Sequence, residues 1–215
     1  MNTYKYDLIL DFETFGKDAT KCAAVDVSAM IFSWDKMVSD DPYTMKDIFF
    51  CHKYKLSVMD QVKNYGYEID KSTVEWWESL GPEVRANVKP RKDDLTVKEF
   101  TERFMLQVGR HVPAIEHWWT RSNTFDPIII ERLFADQGKL MNLQTHLKYW
   151  KVRDTRTYID AKLDFPKVNG FIPIKDEEYW KETFKEHDSS WDILADVLRL
   201  QAIRRAENDL EMIER

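Results

Sequence analysis

The stretch Asp7-Leu8-Ile9-Leu10-Asp11-Phe12-Glu13-Thr14 decides how the rest of the chain is read. Its opening run is short, apolar and rich in strand formers, which predicts a buried strand near the N-terminus. Successive strand side chains point to opposite faces, so Asp11 and Glu13 share one. Two carboxylates side by side repel, and crowding them is costly unless a cation or hydrogen-bond donors compensate. A hard divalent cation takes oxygen ligands and would do so. A strand running out into an acidic, solvated turn has the same local sequence. Partners elsewhere in the chain must decide between the two.

At 215 residues the chain has the length of one sizeable domain, residues 1–215, rather than two. With 43% hydrophobic and 33% charged residues it has the composition of a soluble globular protein. No stretch approaches the length of a membrane span, and the N-terminus lacks a signal-peptide core. That predicts a cytoplasmic enzyme. Cys22 and Cys51 lack the spacing of a zinc site and read as buried thiols. The formal charge of −6 does not favour a non-specific nucleic-acid binder, but charge distribution matters more than the sum. Positive residues cluster between Arg85 and Arg103 and again from Lys148 to Arg156. Each group is either a solvated face or a phosphate-binding surface.

Further strands are predicted over 24–34 and 47–56, giving an antiparallel meander with the first. Ser72-Thr73-Val74-Glu75 is a capping-box pattern that opens a helix carrying Trp76 and Trp77. Adjacent helical residues diverge by about 100°. The two indoles form one broad core-facing patch, or one of them stacks on a nucleobase. Thr96-Val97-Lys98-Glu99 is a second capping box. Ile115 to Thr120 reads as a fourth strand. Asp126-Pro127 then opens a helix running to about Gly138, where Asp126 alone would be a capping residue. A short strand is expected over 148–154, irregular chain over 164–176 and helix over 177–185. The last helix follows His187-Asp188-Ser189, with Trp191, Leu194, Ala195, Leu198 and Ala202 on one face. Asp192 lies about one turn inside it, where the helix dipole favours an acid.

In chain order, D-x-E on the first strand, F-D opening a mid-chain helix and H-x-x-x-x-D opening the last helix resemble the DEDDh 3′-5′ exonucleases. The resemblance is closer still to the T-even-phage exodeoxyribonuclease A family and its bacterial relatives. Four motifs carry it: Ile9-Leu10-Asp11-Phe12-Glu13-Thr14; Trp76-Trp77 after a threonine-containing cap; Arg153-Asp154-Thr155-Arg156-Thr157 after Trp150; and His187-Asp188-Ser189. Each is weak alone, and four in order are specific. Pro127 directly after Asp126 departs from the family, which carries an aromatic before the proline. The departure bears on the helix register there, not on the identity of the aspartate.

The resemblance implies a ribonuclease-H-like α/β fold, with a mixed sheet of about five strands, an antiparallel first half and helices on both faces. It implies that Asp11, Glu13, Asp126 and Asp192 hold two Mg²⁺ (or Mn²⁺) ions, and that His187 is the general base. Hydrolysis of a 3′-terminal phosphodiester needs an activated water and a stabilised leaving oxygen, which two ions about 4 Å apart supply. A histidine titrates near neutrality and suits the base. Thr14, Trp76, Trp77, Arg153 and Arg156 are the expected substrate contacts. The expected substrate is single-stranded nucleic acid, DNA favoured and RNA possible, cut to nucleoside 5′-monophosphates by a monomer or homodimer. The alternatives are an exoribonuclease, a proofreading subunit and a catalytically inactive nucleic-acid-binding module.

Overall fold

A computed structural model describes residues 6–38, 43–44, 46, 50–164, 168–172 and 184–213. Five strands form one sheet: β1 (Tyr6–Thr14), β2 (Ala24–Ser33), β3 (Phe50–Lys55), β4 (Ile115–Thr120) and β5 (Val152–Asp154). Their spatial order is β3-β2-β1-β4-β5. The first three strands form the expected antiparallel meander, and β1–β4 and β4–β5 pair in parallel. β1 is therefore central. Leu8, Leu10 and Phe12 feed one core while Ile9 feeds the other.

The first core lies under α5 (Val97–Gln107) and α6 (Asp126–Ala135). Phe100 and Phe104 from α5 and Ile129, Ile130, Leu133 and Phe134 from α6 are all buried there. Each such side chain contributes roughly 1.5–3 kcal/mol by leaving water. The second core lies under α9 (Ser189–Ile213), whose Ile193, Leu194 and Val197 pack with Ile9, Met30 and Trp119. Between β2 and β3 lies α1 (Trp34–Met37), and after β3 come α2 (Val58–Tyr65), α3 (Lys71–Ser79) and α4 (Pro82–Val88). Helices α7 (Leu140–His146) and α8 (Thr155–Lys162) flank β5. Among the described residues, no helix is long and apolar enough to cross a membrane.

Several local expectations shift. The cap of α3 is Asp70, whose carboxylate accepts from Ser72 N–H at 2.7 Å, not Ser72. An ionised acceptor at the N-cap is at least as good as a hydroxyl. The second capping box holds, with Thr96 and Glu99 exchanging side-chain and backbone bonds. α6 begins at Asp126 but ends at Ala135, and Gly138 turns the chain with φ +64°. Only Val152–Asp154 of the 148–154 segment pairs as strand, and residues 149–151 form a 3₁₀ turn. Both cysteines are free thiols, Cys22 buried and Cys51 half-buried. Helix α2 is not among the expected elements, although Ser57 caps its start and Gly66 ends it in a left-handed turn. Gln61 on it is buried and holds both the N–H and the C=O of Ala24, at 2.8 and 2.7 Å. The helix expected over 177–185 lies outside the described residues except for 184–185, which are not helical.

Candidate active site

The site lies where β1 runs out of partners. β4 pairs with β1 only as far as Ile9↔Trp119, so the Phe12 amide beyond it needs another acceptor. Asp126 supplies one: its Oδ1 accepts from Phe12 N–H at 3.2 Å. The N-cap position of α6 is Phe125, which has no side-chain capping bond. Asp126 is thus tied to β1 rather than to its own helix end, at the flank of Asp11 and Glu13. A register shift between Glu13 and Thr14 ends the β1–β2 ladder at the same place. Bulges of this kind re-aim side chains next to active sites.

Asp192, in the first turn of α9, reaches the same spot from the second core. Ligand atoms of Glu13, Asp192 and His187 lie within 4.8 Å of one another. Glu13 and Asp192 are close enough to share a hydrogen bond. All four carboxyls are driven towards the protonated form. For Asp11 the causes are burial first, then the charges of Asp126, Glu13 and Asp192. For Glu13 they are burial, then Asp192. Burial raises Asp126 to about 7. Burial and then the charge of Asp196 raise Asp192 to about 7.

Among the described residues, no lysine or arginine forms an ion pair with any of these four acids. A fifth acid shows the contrast. Asp196, one turn further along α9, is buried and fully partnered. It pairs with Arg121, with Arg199 at 2.9 Å and with the Thr155 hydroxyl at 2.7 Å. Among the described residues, one acid is therefore ion-paired with arginines and four face each other. Hard oxygen donors without an internal cation fit divalent metal ions.

His187 holds a left-handed backbone, φ +56°, which costs a non-glycine residue about 1–3 kcal/mol. Two features hold it there. The residues after it are anchored from the sheet: Ser189 Oγ donates to Asp26 at 2.6 Å, and Lys53 bridges Asp26 and Asp188 at 3.4 and 3.0 Å. Its ring packs edge-on against Trp76 and Trp77, with centroids 4.9 and 5.8 Å away. The two indoles divide their work. Trp77 is buried and its Nε1–H donates to the Thr14 carbonyl at 3.0 Å. Trp76 is 42% exposed and open to the cleft.

Asp11, Glu13 and Asp126 form part of the floor of a cleft of about 890 Å³ that Thr14, Trp76, Trp77, Arg121 and Arg156 also line. Arg156 is held close by Gly170, where a Cβ would meet Arg156 Cα at 2.7 Å and φ is +69°. Of the expected substrate contacts, Arg153 is not in the cleft. It lines a separate hollow with Trp34, Trp119 and Tyr158, and its guanidinium donates to the carbonyls of Trp150 and Val152. On a strand, residues one apart face opposite ways, so the motif's neighbour Asp154 turns instead to cap α8 and hold Asn123 N–H. The sequence reading missed Asp196, Arg121 and the Asp26–Lys53–Asp188–Ser189 network. Asp196 had a signal, its i+4 spacing from Asp192, and Asp26 had one in its place between Val25 and Val27 on an apolar strand.

Comparison with known proteins bears on the family and the fold. The model of the Rv2179c-like 3′-5′ exoribonuclease domain family matches residues 6–189. The exodeoxyribonuclease of Enterobacteria phage T4 is 28% identical over 222 residues, covering 96% of this chain and 92% of that protein. Among solved structures, apo exonuclease I superposes with a TM-score of 0.55 at 14% identity, over 94% of this chain and 42% of that one. The zinc-bound E. coli exonuclease I–single-stranded DNA complex gives 0.54 at 14%, over 94% and 40%. The chain thus spans about two fifths of exonuclease I, and the shared architecture is the ribonuclease-H-like α/β fold. By the family model that covers most of its length, the chain belongs to the Rv2179c-like 3′-5′ exoribonuclease domain family and is a DEDDh-type 3′-5′ exonuclease.

Proposed function

We propose that this exonuclease removes nucleotides one at a time from the 3′ end of single-stranded DNA, releasing nucleoside 5′-monophosphates. Asp11, Glu13, Asp126 and Asp192 hold two Mg²⁺ or Mn²⁺ ions. One observation carries the reading: among the described residues, four carboxyl groups, none of them ion-paired with a lysine or arginine, converge with an imidazole beside an open cleft. The preference for DNA rests on the T4 relative, an exodeoxyribonuclease by name that aligns over nearly its whole length. The same reading puts the enzyme in the cytoplasm, of the host cell if a phage encodes it.

Each side chain has a role the geometry suits. Bound divalent ions supply the positive charge that acidifies the attacking water and stabilises the departing 3′ oxygen. His187 accepts the water's proton as its oxygen bonds to phosphorus and the P–O3′ bond breaks. The indoles of Trp76 and Trp77 wall off one side of the imidazole and fix its direction. The Trp77–Thr14 bond fixes the backbone beside Glu13, where the terminal nucleotide is held. Arg156, at the start of α8, faces the cleft as a counter-charge for phosphate. Arg121 is committed to Asp196, so it sets the position of α9 relative to β4.

The test is a ladder assay. Purified protein is incubated with 5′-labelled single-stranded DNA and RNA, with Mg²⁺ or with EDTA. Stepwise shortening from the 3′ end with Mg²⁺, faster on DNA, is expected. Internal fragments, or full activity in EDTA, would overturn the reading, and faster RNA shortening would reverse the substrate.

A further inference from the structure

At the outer edge of β3 there is a second hollow, about 420 Å³, apart from the cleft and lined by basic side chains. The turn Arg91–Asp94 lies along that edge: Leu95 N–H donates to the Lys55 carbonyl at 2.8 Å, and Asp94 closes the turn on Arg91 N–H. This brings Arg91 next to Lys55, and α5 brings Arg103 from below. Among the described residues, neither arginine closes a salt bridge. Lys55 donates to the Asn87 carbonyl. Burial, with Arg91 and Lys53 beside it, holds Lys55 below its ordinary range. Asp93 is the single acid of the lining.

Among the described residues, two buried polar groups of the same lining have no hydrogen-bond partner. Tyr54 is 4% exposed, and its hydroxyl makes no hydrogen bond. Burial pushes the phenol up, so it keeps its proton and remains a donor. The amide oxygen of Gln107 is also buried without a partner, so the amide can turn to offer its NH₂ group without breaking an internal bond. A buried donor left unmade costs about 1–3 kcal/mol. Three cations and an unused hydroxyl around one hollow are the mirror image of the carboxylate cluster, and they call for an anion with several oxygens.

Resting on the exonuclease reading, we propose that this hollow is an auxiliary phosphate site that holds a backbone phosphodiester of the substrate strand, upstream of the nucleotide being removed. Its place suits that role. Lys55 pairs with Asp26 on β2, and Asp26 pairs with Glu13 on β1. Two strand spacings put the backbones of Lys55 and Glu13 about 10 Å apart. Lys53 forms the shared wall, lining the hollow while it bridges Asp26 and Asp188, the residue next to His187. A strand whose 3′ end lies in the cleft passes His187 and reaches the hollow within a few nucleotides.

The double variant Arg91→Ala/Arg103→Ala tests this, and neither residue belongs to the catalytic cleft. Binding of a labelled oligothymidylate of about twelve nucleotides is followed by fluorescence anisotropy in EDTA, which does not require turnover. The variant is expected to bind about tenfold more weakly at low salt, with a salt slope shallower by about 0.7 for each phosphate no longer neutralised. Its kcat/KM on a dinucleotide, whose one phosphodiester must occupy the cleft, should match wild type. Tyr54→Phe should keep the melting temperature and still weaken binding of the long strand. Unchanged long-strand affinity and slope in the double variant would overturn the proposal. So would an equal loss on the dinucleotide, or a loss confined to inorganic phosphate and nucleoside monophosphates. A protein that cuts nothing but shows the length-dependent loss would leave this site standing and remove the exonuclease reading.

Discussion

Asp7 and Asp11 lie on the same strand and the same face of it, four residues apart, and their surroundings are opposite. Asp7 is fully buried and surrounded by donors. Its Oδ2 accepts from the indoles of Trp34 and Trp119 at 2.8 and 2.6 Å, and its Oδ1 from His117 N–H at 2.8 Å. Asp11 is half-buried and surrounded by acids, with Asp126, Glu13 and Asp192 all opposing its ionisation. One carboxyl is satisfied by the fold and knits β1 to α1 and β4. Among the described residues, the other has no lysine or arginine as an ion-pair partner and is opposed by other acids. Burial does not mark a binding site; the sign of the neighbours does.

The largest effect should come from Asp11→Asn. Loss of one ligand oxygen charge is expected to cut turnover roughly 10³-fold or more, several kcal/mol of barrier. In EDTA the same variant should melt higher than wild type, because carboxylate repulsion is relieved. Near wild-type turnover would make Asp11 no different in kind from Asp7. Next comes His187→Ala, with an expected loss of roughly 10²–10⁴-fold in rate and little change in metal binding by calorimetry. The wild-type rate should fall on the acid side as the imidazole is protonated, and that limb should flatten in the variant. A variant that keeps both rate and limb would reduce His187 to a helix-flanking residue.

The converse change is Asp7→Ala. Three donors, one buried and two part-buried, lose their acceptor, so a thermal melt should show about 3 kcal/mol of lost stability, or about 6–12 °C. Activity per folded molecule should survive at lower temperature. A loss of activity without a loss of stability would erase the distinction between the two acids. A further effect concerns pH. Asp126 and Asp192 are raised to about 7 in the fold, against about 3.9 in the unfolded chain. The folded state then binds more protons between those values, so stability in EDTA should fall as pH rises from about 4 to about 7. Added Mg²⁺ should flatten that fall, because the ions hold the ionised carboxylates. A melting temperature independent of pH and of Mg²⁺ would mean that the four acids are ordinary surface groups.

Much of the site was legible because its parts are local. D-x-E on one strand face follows from a period of two, while His187 and Asp192, which locally read as helix-end residues, were singled out by the resemblance to the exonuclease family. What the sequence left open was direction. Arg153 and Arg156 belong to one motif, yet Arg156 opens on the cleft and Arg153 lines another hollow, because strand and helix aim their side chains differently. Trp76 and Trp77 are neighbours, yet one is buried and hydrogen-bonded while the other is exposed. Asp196 could be counted as an acid, but its partners Arg121 and Thr155 come from segments 75 and 41 residues away.

The sequence by itself determined the kinds of group and their order: five catalytic candidates in chain order, the antiparallel opening of the sheet and the motifs of the exonuclease family. Periodicity, capping and spacing are short-range properties, and they survive in a string of letters. Tertiary structure alone decided which acids pair with an arginine and which face other acids, and where Arg91 and Arg103 meet Tyr54. Charge balance inside a fold is a sum over neighbours brought together from distant parts of the chain, and no local pattern carries that sum.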